Sequence, residues 1–527
     1  MSSAPATPLV VRLRSPFLGG GISAAVAWWS VLFLTHFLVL REFVSTPYYW
    51  DALGYVFPHA LDIYQSGMSP ILTRYDVGHP TLYPFCVACW MHLVGIVPLA
   101  GHAATWAFSA LFMVAFHRLV RSLGVEGWGA IVSTVGVVTF PIVFSSVIQM
   151  QLDYPLAALH LASVICWAKK RFPAYIVLGG LACLTKLYGW LLIPALLATC
   201  AVTNGRWWVN GARKTVLLES AVTLSPVLLY AAYLGIAASV RGPGLTVNHV
   251  SGNSLVPPCT LEEYARHVRM AWNVLFQYPM IDRLLVALIV AGGGALTAFG
   301  LGGSWWTPFR LRLVVGLAVL CLGMNAAFFQ ITGLCSRYNL LAVAVIIAAC
   351  AGCVRACFGG RAVALVGTLF VLTNVTLWHP ENGAKLPQPL SGWLTREPIR
   401  VNSMYEVDLR FLDAIELTRW CLKSYWARAS NDPRNALLIT HWPMSVGLHH
   451  PGIGYFDRTI PCANARDWAD VRFHIAENPQ HHTFFVMAIQ PIGDLLSPEG
   501  ARENGFVLVR EKNVGELTGQ LYRFQRP

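Results

Sequence analysis

The chain has 527 residues, of which 55% are hydrophobic and only 12% charged. Soluble domains carry about a quarter of their residues as charge, so this composition excludes an ordinary soluble enzyme. Residues 1–379 hold 22 Lys/Arg against 10 Asp/Glu, whereas residues 380–527 hold 16 of each, so the whole net charge of +12 lies in the apolar part. That split points away from nucleic acid as a partner and towards membrane topology, because loops kept in the cytoplasm collect Lys and Arg.

Apolar runs of about 17 to 22 residues are long enough to cross a hydrocarbon core of roughly 30 Å as helices. Arg12 and Arg14 precede the first, Ile22 to Leu40. It is longer than a signal-peptide core and lacks a cleavage site, so it reads as an uncleaved first membrane helix. Eleven spans fit the sequence: 22–40, 102–122, 127–147, 154–168, 172–187, 189–203, 215–237, 283–301, 313–331, 338–355 and 362–378. Basic clusters mark every second connection: Arg118/Arg121, Lys169-Lys170-Arg171, Arg206/Arg213/Lys214, Arg310/Arg312 and Arg355/Arg361. All fall on one side when the N-terminus is cytoplasmic.

Two segments on the other side break the short-loop pattern. Residues 41–101 contain an apolar stretch from Pro80 to Gly95, expected as an amphipathic helix on the outer surface, with Tyr83 and Trp90 at headgroup level. Residues 239–282 contain Pro257-Pro258 and a helix-like run from Leu261 to Phe276. The 13 cysteines lie mostly in apolar runs and behave as small hydrophobes. Cys86 and Cys89 form a CxxC pair with no second pair or His cluster to complete a metal site.

After Trp378 the composition changes. Residues 383–398 read as a linker, Tyr405 to Tyr425 as a helix, Ala436 to Thr440 as a strand, Trp468 to Glu477 as a helix and Thr483 to Ala488 as a strand. The expected division is a transmembrane domain, 1–379, and a small extracytoplasmic α/β domain, 380–527.

With so few carboxylates in the membrane half, each one carries information. Asp51 follows the first span in Tyr48-Tyr49-Trp50-Asp51-Ala52-Leu53-Gly54-Tyr55, and Asp153 stands between the third and fourth spans in Gln151-Leu152-Asp153-Tyr154-Pro155-Leu156. Topology puts both at the outer surface, with His79, Lys186 in Leu184-Thr185-Lys186-Leu187-Tyr188-Gly189 and Arg337 in Ser336-Arg337-Tyr338. Each has a plain structural alternative. Either acid could cap a helix, either cation could snorkel to headgroups, and His79 could be a loop residue. Together they form a polar site at the lipid–water boundary. Breaking a sugar–phosphate bond there builds negative charge that Lys186 and Arg337 would stabilise, and a carboxylate would serve as base to the incoming hydroxyl.

These residues resemble the GT-C glycosyltransferases that use polyprenyl-phosphate sugars, in particular the protein O-mannosyltransferases and the lipid A aminoarabinose transferases. The resemblance covers nearly the whole chain: the acid after the first span, Gly78-His79-Pro80-Thr81-Leu82-Tyr83-Pro84, and the segments around Asp153, Lys186 and Arg337. It implies a GT-C fold of about 11 membrane helices with an external α/β domain. It further implies inverting sugar transfer from a polyprenyl-phosphate donor to a glycan, lipid or protein acceptor. In that frame Asp51 is the base or acceptor-positioning acid, Asp153 the second acid, and Lys186, Arg337 and His79 donor-phosphate contacts. The family often has Asp-Glu where this chain has Asp51-Ala52, and often Lys where it has His79. A divalent metal is compatible with the two acids but has no ligand set to support it. The expected setting is a bacterial inner membrane. The competing readings are a lipid-linked sugar flippase, which would show related halves and a midplane site, and a polymerase or ligase using a pyrophosphate-linked oligosaccharide.

Overall fold

Backbone groups inside a bilayer have no water to bond, so each apolar run closes its hydrogen bonds within itself as a helix. The computed structural model describes residues 22–70, 80–203, 212–241, 260–266, 268–269, 307–328, 336–376, 409–429, 432, 434–440, 444–465, 467–490, 497–515 and 517–526. Ten of the eleven expected spans fall on helices there. They are α1 (Ile22–Val39), α4 (Pro98–Ser122), α5 (Gly127–Thr139) with α6 (Pro141–Ile148), α7 (Asp153–Ala168), α8 (Phe172–Cys183), α9 (Leu192–Thr203), α10 (Ala212–Arg241), α11 (Pro308–Phe328), α12 (Leu340–Phe358) and α13 (Gly360–Thr376). The first loop adds α2 (Phe57–Gln65) and α3 (Leu82–Val94). By length and composition α4, α10, α11 and α12 can each cross a membrane, and the bent pair α5–α6 makes a fifth; α1, α3, α8, α9 and α13 are shorter apolar helices. The expected span 283–301, the linker 383–398 and the boundary near residue 379 lie outside the described residues.

Three expectations need correction. The span expected as continuous over 127–147 is bent by 62° between α5 and α6. Phe140 there adopts extended backbone before Pro141, which disfavours the helical region for the residue preceding it. The span expected over 172–187 stops at Cys183, and Lys186 is extended. Tyr83 is not an interfacial anchor. It is fully buried, exchanging a hydrogen bond with Thr105 (2.6 Å) and donating to the Met150 carbonyl (3.1 Å). One face of α3 is keyed into the bundle, and Leu82 N donates to the Leu184 carbonyl at 3.0 Å. That backbone bond ties the start of α3 to the segment carrying Lys186. Of the helix-like run from Leu261 to Phe276, the described residues 261–266 and 268–269 are helical, opened by Thr260 and Glu263, whose side chains each accept the other's backbone N–H.

The C-terminal part contains α14 (Phe411–Ala429), β1 (Asn435–Ile439), α15 (Met444–Leu448), β2 (Cys462–Asn464), α16 (Trp468–Glu477), β3 (Thr483–Gln490), α17 (Pro498–Glu503), β4 (Val507–Val514) and β5 (Leu517–Gln525). The sheet order is β2-β1-β3-β5-β4, parallel across β2-β1-β3 and antiparallel beyond. Successive side chains of a strand face opposite sides. Accordingly Phe485, Met487 and Ile489 of β3 join the core containing α14, whereas Phe484, Val486 and Ala488 join Trp468 and Val471 of α16. Elements flanking this sheet pack on the first loop of the membrane part. Tyr455 Oη donates to the Tyr48 carbonyl (2.7 Å), and the Tyr49 and Phe411 rings lie 5.4 Å apart.

One glycine fixes how the Lys186 segment runs. A Cβ on Gly189 would stand 2.0 Å from the Ala182 carbonyl oxygen, and the Gly189 carbonyl also pairs with His160 Nε2 at 3.2 Å. Gly189→Ala should therefore destabilise the protein by about 3 kcal/mol, the upper end for overpacking. Gly235→Ala, where the new Cβ meets nothing within 4 Å beyond its own helix backbone, serves as the control. Thermal unfolding in detergent checks this; equal melting temperatures for both variants would contradict it.

Candidate active site

Four of the five residues singled out from sequence come together. Asp51 sits between Trp50, whose backbone is left-handed at φ 46°, and a single π-helical turn, Ala52–Val56. A left-handed bulky residue is strained, and π turns occur mostly as local insertions at functional sites. Asp153 is the first residue of α7, three residues after a second left-handed position, Met150 at φ 60°. Lys186 occupies the extended link between α8 and the 3-10 turn Leu187–Leu191, and Arg337 lies in the 3-10 turn Ser336–Asn339 ahead of α12.

Both oxygens of Asp153 face a cation. Lys186 Nζ donates to Oδ1 at 2.5 Å, and Arg337 Nε lies 3.1 Å from Oδ2. Arg337 also reaches the other acid, with Nη2 donating to Asp51 Oδ2. The aromatic ring of Tyr338 lies beside both cations, 4.5 Å from Lys186 Nζ and 5.7 Å from the Arg337 guanidinium carbon. Asp153, Lys186 and Arg337 are all buried, while the Asp51 side chain is 25% exposed. Neither acid acts as a cap: Asp51 makes no side-chain capping bond to the turn it opens, and Asp153 lies inside α7. The cations do not snorkel either, since their charges turn inward to carboxylates. His79 lies outside the described residues.

Two tyrosines that the sequence reading passed over frame this group. Burial raises the Tyr55 phenol above its ordinary range, the Asp51 charge adds to the effect, and Arg337 opposes it. Burial likewise raises Tyr188, with the Asp153 charge adding to it. Both phenols lie close enough to the acids to feel their charge. With Tyr338, they follow or flank the charged residues in sequence, which was the available signal. Among the described residues no three His, Cys, Asp or Glu side chains converge as a metal set.

No family profile and no curated protein matches the sequence. Among solved structures, the chain resembles ArnT from Cupriavidus metallidurans bound to undecaprenyl phosphate, with a TM-score of 0.52 at 13% identity. That match covers 94% of this chain and 98% of the other. The same enzyme in its apo state gives 0.51 at 14% identity over the same shares. The fold is GT-C. The likeness spans both the membrane bundle and the C-terminal sheet, so the two parts of this chain share one architecture with ArnT.

The burial difference between the acids makes a stability prediction. Asp153→Asn leaves two buried cations short of their counter-charge and should cost about 3–5 kcal/mol. Asp51→Asn, at a partly solvated position with one ion pair, should cost about 1 kcal/mol or less. Unfolding of the two purified variants in detergent compares them. An Asp51 variant as unstable as the Asp153 variant would contradict the assignment of Asp153 as the structural centre.

Proposed function

We propose that this chain is an inverting membrane glycosyltransferase, moving a sugar from a polyprenyl-phosphate donor to an acceptor hydroxyl on the extracytoplasmic face. The observation that carries the proposal is the convergence of Asp51, Asp153, Lys186 and Arg337, with Asp51 the acid open to solvent. The GT-C fold and the undecaprenyl phosphate bound by ArnT support this donor class. The proposal includes a membrane domain over 1–379 and an extracytoplasmic domain over 380–527. It also includes a cytoplasmic N-terminus, in keeping with the basic clusters.

The chemistry follows from what each group can do. Asp51 accepts the proton of the acceptor hydroxyl as its oxygen attacks sugar C1. The C1–O bond to phosphate breaks, and its electron pair leaves with the phosphate oxygen. Arg337 and Lys186 stabilise that developing charge, and His79 joins them as a donor-phosphate contact. Asp153 stays ionised and holds both cations in place. Attack from the face opposite the phosphate inverts the anomeric centre. Arg337 engages Oδ2 of Asp51, so Oδ1 is the oxygen that takes the proton.

Purified protein given a radiolabelled polyprenyl-phosphate sugar and a hydroxyl acceptor tests this reading. Asp51→Asn should slow transfer by roughly 100-fold or more, the lower range of general-base effects, with donor affinity changed little. Lys186→Gln should weaken donor binding as well as transfer. Undiminished transfer by Asp51→Asn would remove it as the base, and lipid translocation without sugar release would favour a flippase.

A further inference from the structure

The chain between α15 and β2 reaches back to the loop that carries Asp51. Residues 450–455 meet two stretches of the membrane part, residues 45–48 and Ile96. Gly452 lies against the Ile96 carbonyl with no room for a Cβ. Gly454 is left-handed at φ 90°, and a Cβ there would stand 3.5 Å from the Ser45 carbonyl oxygen and 3.8 Å from Pro47 Cγ. Tyr455 follows, only 2% exposed, and donates from Oη to the Tyr48 carbonyl at 2.7 Å. Arg419 of α14 grips this turn from the other side, with Nε and Nη2 donating to the Gly454 carbonyl at 3.0 and 2.8 Å.

The bonded carbonyl stands three residues before Asp51, and the chain between them has little freedom. Trp50 is left-handed, Ala52 N donates to the Tyr49 carbonyl at 3.0 Å, and Gly54 N donates to the Trp50 carbonyl at 2.8 Å. The Tyr48 ring packs 5.1 Å from the Phe57 ring, so residues 48–57 close on themselves with Asp51 inside the closed stretch. The C-terminal part holds both ends of that closure, Tyr48 through Tyr455 and Phe57 through the His450 ring at 5.3 Å. Strained backbone keeps its shape only while its surroundings over-determine it. A displaced Tyr48 carbonyl therefore turns the Trp50–Asp51 peptide and carries the carboxylate with it. Asp153, Lys186 and Arg337 are held differently, by one another, on α7, the α8–α9 link and the turn before α12.

We propose that Tyr455, with Arg419 behind it, is a positioning residue for Asp51. Its hydrogen bond to the Tyr48 carbonyl sets where the carboxylate stands against the acceptor hydroxyl. The inference rests on Asp51 as the base of the proposed reaction. A base works only within hydrogen-bond reach of the proton it takes, so a small shift of this loop slows the transfer step. The donor contacts at Lys186 and Arg337 stay in place, so donor binding is spared.

Full-length Tyr455→Phe, given a radiolabelled polyprenyl-phosphate sugar and a hydroxyl acceptor, is the first test. Its kcat should fall roughly 10-fold, within the about 100-fold that a 1 Å misplacement can cost, with KM for the donor as in the wild type. In an Asp51→Asn background the same substitution should cost nothing further, because the group it positions is gone. A bond that merely fastened the two parts together would give the same loss in both backgrounds. Arg419→Gln should follow Tyr455→Phe, Arg419→Lys should recover most of the rate, and this pair decides where the Tyr455 variant fails to fold. A second readout needs no transfer. Asp51, with its side chain 25% exposed, is open to a water-soluble carbodiimide, and mass spectrometry follows the label. Labelling of Asp51 should be severalfold faster in Tyr455→Phe and Arg419→Gln, as the carboxylate moves off Arg337, with Asp432 labelled as in the wild type. Equal losses in the two backgrounds, an unchanged kcat, or unchanged labelling of Asp51 would each overturn the positioning role. Faster labelling in a protein that transfers no sugar would leave that role standing and remove Asp51 as the base.

Discussion

The carboxylate of Asp153, buried at the start of a membrane helix with a cation against each oxygen, sets the terms for everything around it. Taking a charged group out of water costs several kcal/mol even after the surroundings relax, and more where lipid replaces solvent. A lone acid here would be untenable, and so would a lone Lys186 or Arg337. The three hold one another, and in doing so pin α7, the α8–α9 link and the start of α12 to a common point. Asp51 completes the balance. Two acids and two cations sum to zero, so this group carries no net charge that the bilayer would oppose.

Neutrality alone does not aim the side chains; the backbone does. Trp50 and Met150, both left-handed, turn the chain sharply just before each acid. Strain of this kind persists only where the surroundings over-determine it. Tyr83 supplies part of that constraint at Met150, donating to its carbonyl from α3. Gly101 supplies more, since an added Cβ there would stand 2.5 Å from Met150 Sδ and 2.6 Å from the Tyr48 ring. Thus α3, α4 and the loop before α7 are packed without slack. The contacts that shape the Asp153 turn reach Tyr48, three residues before Asp51.

Much of this was legible in the sequence, for a physical reason. A bilayer tolerates few charges, so the membrane half exposes its site by contrast. Asp51, Asp153, Lys186 and Arg337 stand out because almost everything near them is apolar. Helix positions were legible because backbone satisfaction in lipid leaves few alternatives. Other features left no comparable trace. The pairing of Glu219 with Arg312 joins residues 93 apart, and nothing local in either segment announces the other. The burial of Tyr83 was hidden because α3 is apolar on most faces, so periodicity could not say which face meets lipid. Strands β4 and β5 were missed because Arg510, Glu511 and Lys512 give β4 the look of a solvated surface. Its structure comes from pairing with β5, whose Leu517, Leu521 and Tyr522 are buried.

The C-terminal part is tied to the site through the same short stretch of chain that carries Asp51. Tyr455 bonds the Tyr48 carbonyl, Phe411 meets the Tyr49 ring, and the His450 ring lies 5.3 Å from that of Phe57. These contacts flank Trp50, Asp51 and the π turn on both sides. Arg419 in turn fixes the Gly454 carbonyl with two hydrogen bonds, at 3.0 and 2.8 Å, holding Tyr455 against the loop. Because the three buried residues are braced by the membrane helices, the partly exposed acid is the one whose position the C-terminal part can set. Its docking therefore bears on the acid that, in the proposed reaction, takes the proton of the acceptor.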